Sequence, residues 1–377
     1  MIQKLRSPHP AALLAMVTLL GTALASHAGA TPPPHANNPK KAKVQCVDRD
    51  DNARDLSVRV ATTQGFETAQ GRYAVPTQAP TELVVFAHGY GHTSASWVEH
   101  MKRSAAEHGV AAVAMDYRGT KISPDANGDG LPEARGWRVM EGAQDSIAAA
   151  QLFEAQCPSI EKIVIFGVSM GGNASGLAVA LAKDAHRKDG SPLFDYWVDV
   201  EGAVNVIETY AGASALESVN EFAANAKADI EEEMGGTFQE KPDVYAEHAV
   251  VTRIEDIQAS GIEGVIVVHG LDDGLVPYNQ AREMTSLLAA AEIPTDMYTI
   301  GRKSAESERE TTATSYAGNQ LDPEYNSPMA GHASEKSQTH IVMVTAFDRL
   351  WTLLDGEAPG PYREFFVDGP TGTYPEL

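Results

Sequence analysis

Ser169 stands in Gly167-Val168-Ser169-Met170-Gly171, directly after the apolar run Ile163-Val164-Ile165-Phe166 and before a segment of small residues. An apolar strand that breaks at Gly-x-Ser-x-Gly and continues as a helix leaves its serine exposed on a sharp turn, where the hydroxyl can attack a carbonyl carbon. Backbone at such a turn is strained, and the residues two positions to either side must be small for strand and helix to approach closely. Gly167 and Gly171 meet that need. The same pentapeptide also suits an ordinary Gly/Ser turn, so its meaning depends on what accompanies it. A serine hydroxyl is a poor nucleophile at neutral pH. It needs a histidine to take its proton and a carboxylate to hold that histidine in the right tautomer.

The elements that would bring those groups together are short buried strands alternating with helices. Leu83-Val84-Val85-Phe86-Ala87, Val110-Ala111-Ala112-Val113-Ala114-Met115, the run before Ser169, 194–200, Gly264-Val265-Ile266-Val267-Val268 and 296–300 read as strands, most of them continuously apolar and so covered on both faces. Helices are expected over 94–108, 139–155, 279–291 and 335–354, and after Ser169. The alternation predicts an α/β fold with a mostly parallel sheet and helices on both faces. Leu56 to Ala61 alternates at strand period, with Tyr73-Ala74-Val75 as its hairpin partner on an antiparallel edge. Functional groups in such a sheet gather at the carboxyl ends of the strands. His88-Gly89-Tyr90-Gly91, Asp273 and Gly331-His332 fall at such ends, and Asp273 and His332 follow Ser169 in the order Ser, acid, His. Between 205 and 259 the pattern turns helical, which reads as a lid insertion, and Glu231-Glu232-Glu233 reads as a solvated helix face. The long polar stretch 302–329 is expected at the functional rim, and the Pro/Gly-rich tail after Asp355 as surface wrapping.

His88-Gly89-Tyr90-Gly91 after a buried strand, the Ser169 turn, and His269-Gly270-Leu271-Asp272-Asp273-Gly274-Leu275-Val276-Pro277 together resemble the α/β-hydrolase family over about 83–354. The last segment looks like the family's His-Gly-x-x-Asp-x-x-Val-Pro loop, which implies that the acid is Asp273 and not Asp272. The family's histidine precedes the final helix, so the resemblance points to His332 and leaves His340 inside that helix. Asp199 and Glu201, after the preceding strand, are rival acids at a position some relatives use. By the same resemblance the backbone N–H groups of Tyr90 and Met170 form the oxyanion hole, while His88 braces the loop. The pairing of Gly89-Tyr90 with Ser169-Met170 is similar to secreted cutinase-like polyester hydrolases, whose tyrosine packs on the acyl chain. What this implies is a serine hydrolase that cleaves small or polymeric carboxylic esters through an acyl-enzyme and requires no cofactor. A serine peptidase of prolyl-oligopeptidase-like type is the enzymatic alternative, against which stands the lack of a propeller ahead of the catalytic part. A binding module on the same fold is the other, against which stand the intact Ser, Asp and His.

Residues 1–30 carry Lys4 and Arg6, an apolar stretch from Ala11 to Ala25, and Ala28-Gly29-Ala30, which fits a signal peptide cut near Ala30 and a secreted protein. No later stretch approaches the roughly 18 apolar residues of a membrane span. The expected layout is a leader over 31–50, a hydrolase core over 51–204 and 260–377, and the lid over 205–259. A net charge of −22 argues against nucleic acid or an anionic membrane as partner, and a monomer is expected. Cys46 and Cys157 are the only cysteines, and in an exported chain they should form one disulfide. Asp125-Ala126-Asn127-Gly128-Asp129-Gly130 resembles the start of a calcium loop, with oxygen ligands at Asp125, Asn127 and Asp129 and Glu133 within reach. Gly136 stands where the bidentate Glu belongs, so a plain Asp/Asn/Gly turn is favoured over a structural calcium site.

Overall fold

The computed structural model describes residues 43–50, 52–124, 131–301, 331–338 and 340–367. The expected signal peptide, the calcium-like loop Asp125, Asn127, Asp129 and the 302–329 stretch lie outside them.

Runs of Val, Ile, Phe and Ala that leave no polar face become the middle of a sheet. Among the described residues the strands are β1 (Arg54–Thr62), β2 (Gly65–Ala74), β3 (Glu82–Ala87), β4 (Ala111–Met115), β5 (Lys121–Ser123), β6 (Glu133–Arg135), β7 (Lys162–Val168), β8 (Tyr196–Val200), β9 (Gly264–Gly270), β10 (Thr295–Ile300) and β11 (Arg363–Val367). Nine of them form one sheet in the order β1-β2-β4-β3-β7-β8-β9-β10-β11. Pairs from β4 through β11 are parallel, whereas β1 with β2 and β2 with β4 are antiparallel. Strands β5 and β6 form a separate small hairpin.

Side chains alternate across the sheet and bury two cores. Val85, Ile165, Trp197 and Val267 meet helices α2 (Val139–Gln156), α3 (Met170–Leu181) and, later in the chain, α8 (Asn279–Ala290) through Phe153, Leu177 and Met284. On the other face Phe86, Phe166 and Val198 meet α1 (Val98–His108) and the last helix, α9 (Ile341–Leu354), through Met101, Val342 and Leu350. Phe86 stacks on Trp97 with ring centroids 4.4 Å apart, and Phe166 on Phe347 at 5.1 Å. Burial of each such side chain contributes about 1.5–3 kcal/mol.

The 205–259 region folds as α4 (Val206–Leu216), α5 (Glu221–Met234), α6 (Pro242–His248) and α7 (Ile254–Ala259). Its acidic run is not the solvated face expected. Glu232 receives Lys121 Nζ at 2.8 Å and also pairs with Arg138, while the nearly buried Glu233 receives Arg138 Nη1 at 2.9 Å. Glu231 accepts from the Tyr210 hydroxyl at 2.7 Å. One turn earlier Asp229 accepts from Arg135 Nε at 2.9 Å, Gly136 N at 3.2 Å and the Tyr90 hydroxyl. Positions 229, 232 and 233 share a helix face, and that face is docked on cations from the β5–β6 arm and the residues after it.

Three other differences follow from local causes. The final helix begins at Ile341 and not at 335, because residues 331–338 form a buried loop; His340 is therefore its N-cap, with Nδ1 3.4 Å from Val342 N. The segment after Asp355 does not merely wrap the surface, since β11 adds a strand beside β10 with Tyr298 opposite Phe365. Residues 43–50, at the end of the expected leader, pack against the core: Val44 is buried, its N–H donates to Gln156 Oε1 at 2.9 Å, and Cys46 is joined to Cys157 at the end of α2.

The disulfide closes a loop between positions 111 apart in sequence. Replacing both residues (Cys46→Ala with Cys157→Ala) is expected to lower the free energy of unfolding by about 2–5 kcal/mol, read from denaturant melts. A change below about 1 kcal/mol would show that the packing of residues 43–50 holds without the bond.

Candidate active site

Ser169 joins β7 to α3 at φ 59° and ψ −125°, a conformation that L-residues adopt only when the surroundings impose it. The surroundings are backbone. A Cβ at Gly167 would stand 2.1 Å from the Gly171 carbonyl oxygen, and one at Gly171 would stand 2.1 Å from that of Ala87. Ser169 N donates to Val200 O at 3.0 Å, and its own carbonyl accepts from Gly172 N at 2.9 Å and Ala203 N at 3.0 Å, so the turn is braced against the exit of β8.

The acid and the histidine meet at the ends of β9 and of the 331–338 loop. A Cβ at Gly331 would lie 1.9 Å from the Asp272 carbonyl oxygen, so the two loops touch main chain to main chain. That contact delivers His332 to Asp273: Nδ1 donates to Oδ2 at 2.8 Å. Asp273 is buried while its neighbour Asp272 is exposed. Its Oδ1 accepts from Leu275 N at 2.8 Å and Val276 N at 3.0 Å, and His269 Nε2 donates to Val276 O at 2.9 Å while lying 3.4 Å from Oδ2. Burial alone would raise the Asp273 carboxyl, but the flanking His332 and His269 outweigh it and hold it well below the usual carboxylate range. Burial likewise disfavours the His332 imidazolium, yet Asp273, with Glu201 behind it, leaves the imidazole titrating above its ordinary value. With Nδ1 donating to Asp273, the neutral ring carries its lone pair on Nε2, which is buried and meets no partner among the described residues.

Both rival acids are buried, and they differ. Glu201 sits at φ 47° just past β8; its Oε1 accepts from Gly270 N at 3.1 Å and its Oε2 from Ala333 N at 2.6 Å, with His332 Nδ1 3.6 Å away. Asp199 is directed elsewhere, under Gly172 and Gly202, where a Cβ would come within 2.3 and 2.0 Å of its Oδ1, and burial pushes its carboxyl up to about 7. Among the described residues Glu201, Asp273 and His332 form the one group with metal-ligand spacing, their ligand atoms lying within 4.8 Å of one another. Within the group His332 Nδ1 donates to Asp273, and Glu201 accepts from Gly270 N and Ala333 N. His340 stands apart as the cap of α9.

His88 to Gly91 follow β3. A Cβ at Gly89 would lie 3.4 Å from Ser169 Cβ, which places this loop against the candidate nucleophile. Neither the Tyr90 nor the Met170 N–H meets an acceptor among the described residues. His88 stacks on Tyr117 with centroids 3.9 Å apart, and Tyr117 Oη donates to His88 O at 3.2 Å, consistent with a bracing role. The half-buried Tyr90 ring packs edge-on to Phe222 of α5 at 5.5 Å and beside Trp137 at 6.0 Å. Glu335, expected at a helix start, is instead buried against Gly89. Its signal in the sequence was slight: an acid three residues after His332 in a stretch of small and polar residues.

The fold agrees with comparison to known proteins. The model of the alpha/beta hydrolase family matches residues 84–333, and the chain belongs to that family. Among solved structures it is similar to Porphyromonas gingivalis dipeptidyl peptidase 4, at 15% identity over 81% of this chain and 35% of that one with a TM-score of 0.50. Pyrococcus horikoshii acylaminoacyl peptidase matches at 15% identity over 82% of this chain and 42% of that one, TM-score 0.50. A Pyrobaculum calidifontis esterase matches at 18% identity over 66% and 75%, TM-score 0.45. The chain thus spans about two fifths or less of the length of the two peptidases, and at these identities the likeness is one of fold. No curated protein matches the sequence.

The electrostatics can be checked without any substrate. In an NMR titration the His332 imidazole should protonate above its ordinary value in the native protein, and Asp273→Asn should lower that midpoint by at least one pH unit by removing the facing charge. An unmoved midpoint would mean that Asp273 does not govern this ring.

Proposed function

We propose that this protein is an exported serine hydrolase that cleaves carboxylic esters. The observation that carries the reading is the buried Asp273–His332 pair at 2.8 Å, set by main-chain contact at the sheet edge where Ser169 is held at a strained turn. In this reading Ser169 Oγ attacks the ester carbonyl carbon and its proton passes to His332 Nε2. The oxyanion forms toward the N–H groups of Tyr90 and Met170, and the proton leaves with the alcohol as the acyl-enzyme forms. Water then attacks by the same route, returning the serine and releasing the acid. Asp273 stays ionised throughout, and the reaction calls on no cofactor. Export and a monomeric state belong to the proposal; the Cys46–Cys157 disulfide supports export, and no described helix is long and apolar enough to cross a membrane. Tyr90, next to the Gly89 that lies against Ser169, offers a half-buried ring backed by Phe222 and Trp137, which supports an acyl group of modest size.

The test is a panel of p-nitrophenyl esters, polyester film and peptidyl amides on the pure protein. Turnover confined to amides would replace the ester reading by the peptidase one, and no turnover with any of them would favour a binding module. Ser169→Ala and His332→Ala are each expected to cut kcat by about 10⁴-fold or more with the fold retained. His340→Ala should leave kcat within about threefold while costing about 2–5 kcal/mol of stability, because it empties a fully buried site at the start of α9. Because the base must be neutral, kcat/KM should rise with pH through the His332 midpoint, and that limb should move to lower pH in Asp273→Asn.

A further inference from the structure

The catalytic turn has a second buried carboxylate beside it that no step of the proposed reaction uses. Glu335 is 1% exposed and lies on the same short loop as His332. Its Oε1 accepts from Gly89 N at 3.0 Å and stands 2.6 Å from His92 Nδ1, and its Oε2 would be 3.4 Å from a Cβ on Gly89. The same glycine is held on its other side. Gly89 O accepts from His88 Nδ1 at 3.0 Å and from His92 N at 3.3 Å.

These bonds have a geometric consequence. The Gly89 carbonyl and the Tyr90 N–H belong to one planar trans peptide unit, so they point in opposite directions. Two donors fix where the carbonyl points, and Glu335 fixes the preceding peptide by its N–H. Between them they leave the Gly89–Tyr90 unit almost no rotation. Because Glu335 occupies the Gly89 amide, the next N–H along the chain is the first left free, and Gly89 itself lies against Ser169. A glycine without such restraints would rotate at little cost. Burying a carboxylate is expensive unless it is hydrogen-bonded, and here the loop it restrains supplies that bond through Gly89 N.

We propose that Glu335 is a positioning residue for the oxyanion hole: by clamping the Gly89 amide it aims the Tyr90 N–H at the developing oxyanion of the ester bound to Ser169. This rests on the reading of Tyr90 as an oxyanion donor, while the clamp itself is a property of the resting protein. Glu335 touches no reacting atom in this scheme; it acts through Gly89.

Two measurements separate the clamp from the chemistry. Amide exchange and the proton shift of the Gly89 N–H, followed by NMR in the native protein, should show a protected, downfield amide. Glu335→Ala should make that amide exchange faster while the amides of β3 and β7 keep their protection. In ester assays Glu335→Ala should lower kcat about 100-fold, the loss expected when one oxyanion donor is misaimed, with KM within about twofold. Glu335→Gln, whose amide oxygen can still accept from Gly89, should recover most of that loss, and it carries the test if the alanine variant does not fold. A Gly89 amide that exchanges as fast in the native protein as an unprotected one, or a glutamine variant that lacks both protection and activity, would overturn the proposal. So would a rise in KM with kcat unchanged. If the native protein cleaves no ester, the functional reading fails, and the clamp is then judged by exchange alone.

Discussion

Burying a carboxylate is costly unless N–H groups meet it, and three acids at the sheet edge beside Ser169 satisfy that condition, whereas the buried Asp199 meets no donor among the described residues. Asp273 collects the amides of Leu275 and Val276 and the ring of His332. Glu201 collects Gly270 and Ala333, and Glu335 collects Gly89. Glu201 and Glu335 draw in main chain from other loops, so the ends of β3, β8 and β9 and the 331–338 loop are tied together by hydrogen bonds to buried acids in addition to packing. Removing one partner would strand a buried charge, which costs more than the bond itself is worth.

The fold was legible because its signals are local. Short apolar runs such as Leu83 to Ala87, rich in β-branched and aromatic residues and followed closely by glycine, read as strands covered on both faces, and Gly-x-Ser-x-Gly directly after one of them marks the turn. Asp273 and His332 were also within reach, since the acid loop and the glycine before His332 are short patterns at strand and helix boundaries. The choice between Asp272 and Asp273 came from resemblance; in the structure the first faces solvent and the second faces the His332 ring.

What escaped the sequence depends on partners distant along the chain. Glu231-Glu232-Glu233 has the composition of a solvated face, and nothing nearby hints that Arg138 and Lys121 lie against it. Glu335 fits a helix start equally well until Gly89, 246 positions away, is seen to occupy it. The tail after Asp355 looked like wrapping because a single strand with mixed exposure has little periodic signal; only the open edge of β10 explains why Arg363–Val367 extends the sheet. His340 failed to enter the helix for a similar reason, as the loop that buries His332 must end before the helix can begin.

The helices α4–α7 bear on the surroundings of Ser169 through one carboxylate. Asp229 of α5 holds the Tyr90 hydroxyl, Arg135 and the Gly136 amide together. Lifting that helix would break all three bonds at once, including charge-assisted ones worth about 1.5–3 kcal/mol each. It would also release the aromatic ring whose own backbone lies beside Ser169. The helix therefore behaves as a fixed wall, and its displacement cannot be separated from the orientation of Tyr90: the seating of an outer layer and the shape of an inner turn are two readings of a single coordinate.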